Sequence, residues 1–328
     1  MRGDLVNTLL SIIGAILVFV LGTLFAVPHF VDWNQYRGII EEEASRAVGR
    51  DVRIGANVHV RLLPTPSIRL EDVRIADTAA LTGDPIFRTA EVSAKLAISP
   101  LLRGAVEVSE IELVQPVVRL VVDDGGVGNW QSLAGSAPGL SYLPSNISLN
   151  TVIVSNGKLV LYSDGGRRER LVLDAIAGDV STPGPSSPHR FKGRVSLGGS
   201  SYDVRGQLTE ADGQGSRRVS MTARSDAGGT TRFEGRTETI AGLPAVKGEV
   251  VANIPFSPEG TGRGVQSVEI KTELAADTRT ADLTSIQVGF ESGDRPQSLS
   301  GTGRIRWQGE TDLTISIGAQ WLDIDALS

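Results

Sequence analysis

The chain has 328 residues, enough for more than one domain, and 40% of them are hydrophobic while only 5% are aromatic. Its net charge of −6 at pH 7 argues against the basic stripe of a nucleic-acid-binding protein, so we expect no nucleic-acid partner. The chain contains no cysteine, which excludes disulfides, thiolate metal sites and cysteine nucleophiles.

Residues 9–27 read LLSIIGAILVFVLGTLFAV and contain no charged side chain. A helix of that length spans roughly 28 Å, close to the thickness of a bilayer's hydrocarbon core. The alternative, a cleaved signal peptide, would have a shorter apolar region and a small-x-small cleavage site, which this sequence lacks. We therefore predict an uncleaved transmembrane anchor at 9–27, with a short cytoplasmic tail at 1–8.

Aromatic residues follow the predicted anchor, and we expect Trp33 and Tyr36 to lie at the membrane interface. Apolar residues at helical spacing predict a helix over 33–48 that packs on the following body, within a juxtamembrane segment at 29–49. Gly49 is placed as its C-terminal cap. A helix lying on the membrane surface is the alternative, but its polar face would be acidic rather than basic.

After this helix the hydrophobic period changes to two, which predicts β-strands. The stretch 64–75, PTPSIRLEDVRI, begins with Pro64 and Pro66. Proline cannot donate a hydrogen bond to a β-ladder, so these residues are expected where a strand begins. The apolar residues change parity at Glu71 and Asp72, which indicates a β-bulge.

Alternating runs continue through the rest of the chain. Pro116 predicts a break or a bulge within the run 106–122. The pair Asn156-Gly157 predicts a two-residue hairpin turn. Beyond about residue 165, similar runs recur between clusters of turn residues, so the pattern predicts an extended antiparallel β-meander.

The predicted strands are apolar on one face and polar on the other, and a sheet must bury its apolar face. A closed β-sandwich or barrel would do so within one domain. An open, curved groove would instead hold something else on that face, such as acyl chains. A one-residue slip would invert the inward face. The candidate lipid-facing residues of such a groove are Ile68, Leu70, Leu96, Ile98, Leu120 and Val122.

No catalytic constellation is evident in the sequence. The glycine-rich stretches GTGRG and GTGR lack the spacing and the following helix of phosphate loops, and no serine lies in a nucleophile elbow. His29, His59 and His189 are not spaced as metal ligands, and each is expected at a surface or an interface. We therefore expect no enzyme, no cofactor and no metal site.

The order of motifs over residues 1–133 closely resembles the N-terminal region of AsmA-family proteins, and the resemblance over 146–328 is looser. These motifs read DWNQYR, GRDVRI, LPTPSIRLEDVRIAD, a run from DPIFRTAEV to QPVVRL, and DGGVGNW. The last motif departs from the family pattern by one extra residue between Gly126 and Asn129. The residues matched to family motifs are Gly49, Arg50, Pro64, Pro66, Pro100, Leu101, Leu102, Pro116, Asn129 and Trp130.

The resemblance implies a single-pass inner-membrane protein with its N-terminus in the cytoplasm and its body in the periplasm. Family members are usually longer, so the chain is either a short member or a fragment. The expected division is a tail at 1–8, an anchor at 9–27, a juxtamembrane helix at 29–49, an AsmA-like β-region at 50–133, a loop at 134–145 and a repetitive β-region at 146–328.

The resemblance also favours the open groove over the closed alternative, because related proteins carry lipid along an apolar trough. It implies a role in outer-membrane biogenesis, lipid transport between membranes and regulation of protein targeting to membranes. The expected partners are the inner membrane, a phospholipid or other acyl lipid, and outer-membrane assembly proteins. Two alternatives stay open: an assembly factor that acts through protein contacts at a sheet edge, and an enzyme.

Overall fold

In a computed structural model, a few positions within 12–22 are described and are helical. The other described ranges are 31–77, 83–101, 107–131, 151–181, 188–209, 211–213, 215–240, 243–255, 267–290, 297–307 and 311–319. The predicted anchor at 9–27 lies largely outside these residues, and the predicted loop at 134–145 lies wholly outside them. In the described part of the chain, no helix is both long enough and apolar enough to cross a membrane.

The first complete helix, α1, spans Arg37–Val48 and follows a 3-10 turn at Trp33–Tyr36. Gly49 ends the helix with a φ of +75° and donates its N–H to the carbonyl of Ser45 at 2.8 Å. Glycine adopts this left-handed conformation without a steric penalty, which explains its position after the last helical turn. The predicted helix over 33–48 and its glycine cap are confirmed.

The rest of the described chain forms one sheet of seventeen strands and a short helix, α2, at Ile98–Leu101. The first seven strands are β1 (Val52–Ile54), β2 (Val58–Arg61), β3 (Ser67–Ile75), β4 (Phe87–Leu96), β5 (Val108–Val114), β6 (Val117–Val121) and β7 (Thr151–Ser163). The next five are β8 (Arg168–Ser181), β9 (His189–Leu197), β10 (Ser200–Leu208), β11 (Arg218–Ser225) and β12 (Thr230–Ile240). The last five are β13 (Leu243–Pro255), β14 (Ser267–Asp277), β15 (Thr280–Phe290), β16 (Gln297–Arg306) and β17 (Asp312–Ala319).

From β7 to β17, each strand pairs antiparallel with the next, so the predicted meander is confirmed over this region. The first strands depart from it. β1 and β2 both pair with β3, while β5 and β6 lie between β4 and β7 and run parallel to β7. A wholly antiparallel sheet is therefore the wrong prediction here. Parallel neighbours cannot be joined by a tight turn, and β6 and β7 are far enough apart in sequence for the longer connection that they need.

The predicted hairpin at Asn156-Gly157 is also wrong, because β7 runs through this pair without turning. Asn156 has a φ of +54°, and the register between β7 and β8 shifts on both sides of Gly157. The pair lies opposite the break between β5 and β6, where Lys158 donates its N–H to the carbonyl of Pro116 at 2.7 Å. The positive φ that asparagine tolerates therefore forms a bulge. The predicted break at Pro116 is confirmed.

The parity change predicted at Glu71 and Asp72 is confirmed. Asp72 has a φ of +53°, and the ladders that β3 forms with β1 and with β2 are out of register by one residue. Pro64 and Pro66 precede β3, which begins at Ser67, so their predicted role before a strand is confirmed as well.

The most buried apolar cluster of the described chain lies beneath α1 at the first edge of the sheet. Val52, Ile54, Val58 and Val73 form it, each 3–5% exposed. The helix therefore packs on the body as predicted. Elsewhere in the described chain, Ile86 and Val160 are similarly buried, at 3% and 5% exposed. The partly buried residues around the cluster are Trp33, Ile40, Ala44, Val48, Ile68, Leu70, Ile75 and Val92.

Strand registers place the aliphatic side chains of β7–β17 mainly on one side of the sheet, the apolar face, and the charged ones mainly on the other, the polar face. The polar face includes Lys192, Arg205, Arg232 and Lys271. The apolar face includes Val152, Leu159, Leu173, Val195, Val204, Met221, Phe233, Val250, Ile270, Leu283, Leu299 and Ile315.

Paired glycines on the apolar face bring neighbouring strands unusually close. Gly178 of β8 pairs with Gly193 of β9, and Gly235 of β12 pairs with Gly248 of β13. A β-carbon on Gly178 would lie 2.6 Å from the α-carbon of Gly193, and one on Gly235 would lie 2.9 Å from that of Gly248. Both separations are too short for carbon atoms, so these positions accept no side chain without movement of the strands.

Turns from distant parts of the sheet also meet. The hydroxyl of Thr278, after β14, donates to the carbonyl of Gly126 at 2.6 Å, and Trp307 donates its indole N–H to the carbonyl of Thr278 at 2.7 Å. Arg170 of β8 donates to the hydroxyl of Thr311. Neighbouring strands are rotated by roughly 20–25°, so the twist accumulates to about half a turn between β7 and β15. The contacts therefore join opposite ends of strands that are far apart in the sheet order.

Replacing Gly178 with alanine is expected to destabilise the protein by roughly 1–3 kcal/mol, because the added methyl group must push β8 and β9 apart. The matched control is Gly289→Ala in β15, where an added methyl group would meet no atom of the described chain within 4 Å apart from its chain neighbours. We expect the control to change stability by less than about 1 kcal/mol. Urea unfolding followed by circular dichroism measures both, and equal midpoints would contradict the steric argument.

Candidate functional site

The apolar face is the candidate functional site, because many of its side chains remain accessible. Leu197 and Met221 are each 42% exposed, Ile254 is 47% exposed and Ile315 is 49% exposed. The side chains of a closed core would be almost fully buried. α1 covers this face near β1–β3. Along β9–β17 the cover is uneven: Phe233 and Ile286 are only 8% and 7% exposed, most other side chains of the face are partly buried, and β17 is exposed along its whole length.

Along β9–β17 the apolar face is also uncharged. None of the described strand residues on this face is Asp, Glu, Lys or Arg, and the one histidine is His189 at the start of β9. The polar residues there are mostly Thr and Ser, with Gln297 at the start of β16. The face can therefore bind apolar groups by excluding water, and its strands offer few groups for chemistry.

Four of the predicted groove residues lie on the apolar face, but not all are accessible. Ile68 and Leu70 pack against the core beneath α1. Leu96 ends β4 and pairs with Val108 of β5. Leu120 pairs with Leu161 of β7, on the same face as the aliphatic residues that follow. The first two therefore contribute to the fixed core.

The other two predicted groove residues are not part of a strand. Ile98 begins α2 and is 52% exposed, so its predicted place in a continued β4 strand is wrong. Pro100 lies two residues later, where it cannot donate to a β-ladder but fits the first turn of a helix. Val122 follows β6, forms an isolated bridge with Gly128 and is 8% exposed.

Two motifs that are distant in sequence form one polar junction around Arg50, which is only 6% exposed. Its guanidinium donates to the carbonyls of Ala76 at 3.0 Å, Asp77 and Asn129 at 2.7 Å. Burial lowers the pKa of Arg50, and the Asp77 carboxylate opposes that effect. A buried guanidinium must have its donors paired, so Arg50 fixes these backbone segments together.

Asn129 completes the junction with its side-chain amide. The amide N–H group donates to the Asp77 carboxylate at 2.5 Å and to the carbonyl of Arg119 at 3.1 Å. The amide oxygen accepts the backbone N–H of Val121 at 3.0 Å. The ring of Trp130 lies over Gly128, where a β-carbon would be 2.5 Å from it. The matched residues Arg50, Asn129 and Trp130 therefore have structural roles.

The remaining matched residues shape helix ends and strand boundaries. Pro100 and Leu101 belong to α2, and Leu102 lies outside the described residues. Of the two predicted interface aromatics, Trp33 packs partly against the core and Tyr36 is 42% exposed. Their ring centroids are 5.9 Å apart. Contact of Tyr36 with a membrane stays a prediction.

His189, expected at a surface or an interface, does not lie at the surface of this chain. The residue is 8% exposed and lies on the apolar face, paired with Leu208 of β10. Side chains two residues apart in a strand point to the same face. His189 lies two residues before Phe191, so this alternation could have predicted its place on the apolar face. His59 has an exposed side chain 3.4 Å from Glu71, as expected, and His29 lies outside the described residues. Within the described chain, no group of His, Asp and Glu could hold a metal ion.

One long, twisted, mainly antiparallel sheet with a partly accessible apolar face defines a mainly β protein. The sequence model of the AsmA family matches residues 5–169, half of the chain, so the chain belongs to the AsmA family. No curated protein matches the chain. No solved structure matches it either.

Replacing Arg50 with methionine is expected to destabilise the protein by roughly 3 kcal/mol, because it leaves several buried carbonyl groups without donors. Arg53 is the matched control: its side chain is 55% exposed and forms surface ion pairs with Asp51 and Glu41. Arg53→Met should cost less than about 1 kcal/mol. Urea unfolding measures both, and equal losses would argue against the junction.

Proposed function

We propose that this protein binds acyl lipid on its apolar face and serves lipid transport between the inner and outer membranes. AsmA-family membership suggests a role in outer-membrane assembly or lipid transport at the level of the family. The finer assignment adds an open, curved groove, an anchor in the inner membrane and a periplasmic body. Regulation of protein targeting to membranes would follow from that role. In this proposal the protein acts by binding, without catalysis.

The observation that carries the proposal is the half-exposed apolar face. Full burial of a large aliphatic side chain contributes about 1.5–3 kcal/mol, so each half-exposed one leaves roughly 1 kcal/mol unrealised. A lipid acyl chain gains about 0.8 kcal/mol for every methylene group it buries. An acyl chain bound on this face therefore removes apolar surface of both the lipid and the protein from water. The chain itself needs no hydrogen-bonding partner.

The backbone also supports a curved sheet. The glycine pairs Gly178–Gly193 and Gly235–Gly248 allow close approach on the apolar side. A sheet that bends toward its apolar face shields a bound chain from water on both flanks. α1 covers the face near β1–β3, so the proposed groove begins beyond that helix.

A second candidate function rests on the last strand. All eight residues of β17 are exposed, and Asp312 is its one charged residue. Long, uncharged edge strands can accept a strand from another protein. In this alternative the protein acts as an assembly factor through β17 and carries no lipid.

Site-specific photocrosslinking in the full chain, in a bacterial membrane, separates these functions. Met221 lies on the apolar face and the next residue, Thr222, on the polar face. We expect benzoylphenylalanine at position 221 to crosslink to lipid, because acyl chains cover that position. The same group at position 222 should give little lipid adduct, and mass spectrometry of the crosslinked protein measures both.

Equal lipid adducts at both positions would show contact with bulk membrane instead of a groove. Absence of lipid adducts at 221 would contradict the lipid function and favour the β17 alternative. Val204 lies on the apolar face of the neighbouring strand, and Arg205 lies on the polar face. Val204→Asp should reduce the lipid adduct at position 221, whereas Arg205→Asp should not.

A further inference from the structure

Two nitrogen-bearing side chains interrupt the uncharged apolar face at one place. His189 begins β9 on that face. Arg217 immediately precedes β11, two residues before Val219, and its carbonyl accepts the N–H of Thr237 at 2.8 Å. Thr237 lies on the apolar face of β12, so Arg217 continues the same face. Only β10 separates the two residues.

The strand registers place the two residues near each other. Arg217 donates from its Nη1 to the carbonyl of Thr209, at the end of β10, at 3.4 Å. Burial lowers the pKa of His189, and the charge of Arg217 lowers it further. The cation of the pair is therefore Arg217.

Both side chains have hydrogen-bonding capacity that the described chain does not satisfy. Nδ1 of His189 and Nε of Arg217 are buried and have no hydrogen-bond partner there. The imidazole belongs to a residue that is more than nine-tenths buried. Arg217 also forms no ion pair within the described residues, whereas Arg194 of β9 pairs with Asp203. Buried polar atoms without partners are rare and require an explanation.

We propose that Arg217 and His189 bind the phosphate group of a phospholipid whose acyl chains lie on the apolar face. This inference rests on the proposed lipid function and specifies the headgroup. A guanidinium offers only donors and a positive charge, so its partner is an anion that accepts hydrogen bonds. Arginine binds phosphate through two parallel N–H groups, and Nε is one of the donors that such binding uses. The ligand would then have an anionic group at this place and apolar chains along the rest of the face. A phospholipid is an amphiphile of this kind.

The test compares two lipids with identical acyl chains, phosphatidic acid and diacylglycerol. The full chain in mild detergent is incubated with an equimolar mixture, separated from free lipid, and analysed by mass spectrometry. The parent should retain phosphatidic acid with a preference of roughly tenfold, the usual size of a charge-assisted hydrogen bond. Arg217→Gln should lower that preference to near one.

Arg218→Gln is the matched control, because Arg218 is the next residue, exposed on the polar face. It should keep the parent's preference. Arg217→Lys keeps the charge but not the planar fork, so it should retain part of the preference. If Arg217→Gln changes the circular dichroism spectrum, Arg217→Lys and the parent still decide the outcome.

Each result separates the headgroup site from the lipid function. If the parent retains neither lipid, the lipid function fails and the site fails with it. If the parent and Arg217→Gln retain both lipids equally, the lipid function stands and the headgroup site is overturned. Inorganic phosphate provides a further arm: if it displaces phosphatidic acid at equal concentration, the pair binds a free anion, and the assignment to a lipid is wrong.

Discussion

A β-sheet with one apolar face is stable in water only when another layer covers that face. In this protein, α1 supplies such a layer near β1–β3, and the core of four valine and isoleucine residues lies beneath it. Along the strands that follow, the described chain leaves the apolar face only partly covered. The fold, the site and the proposed ligand all depend on this difference between the part of the apolar face that α1 covers and the part that it leaves uncovered. A bound apolar molecule would complete the missing layer.

The covered and uncovered parts of the sheet are held by different kinds of contact. Near α1, buried polar atoms join distant segments through Arg50 and Asn129, and this junction fixes strand ends that sequence separates widely. Farther along, regular antiparallel ladders and glycine pairs dominate. Rigid packing at one end and backbone pairing along the rest suit a protein that must keep one face free. Arg50 and Asn129, two of the residues matched to family motifs, belong to this packed end.

Local signals predicted much of this architecture, and non-local ones account for the errors. Period-two alternation predicted the strands, and Gly49 predicted the end of α1, because both depend on residues adjacent in sequence. The pair Asn156-Gly157 predicted a positive φ, and Asn156 has one. Because β7 pairs across the break at Pro116, this conformation forms a bulge and not a hairpin turn. The parallel placement of β5 and β6 beside β7 depends on a crossover that no local pattern specifies. The site residues Arg217 and His189 were missed for the same reason, since strand register brings them together.

The accumulated twist of the sheet has a consequence for any molecule that follows the apolar face. The turns near Gly126 and Thr278 are in contact, and the strands between them rotate by about half a turn. The apolar face therefore twists along the sheet instead of lying in one plane. A lipid that travelled from β7 to β15 would be turned about its direction of travel, and its headgroup would leave pointing to the side opposite from the one on which it entered.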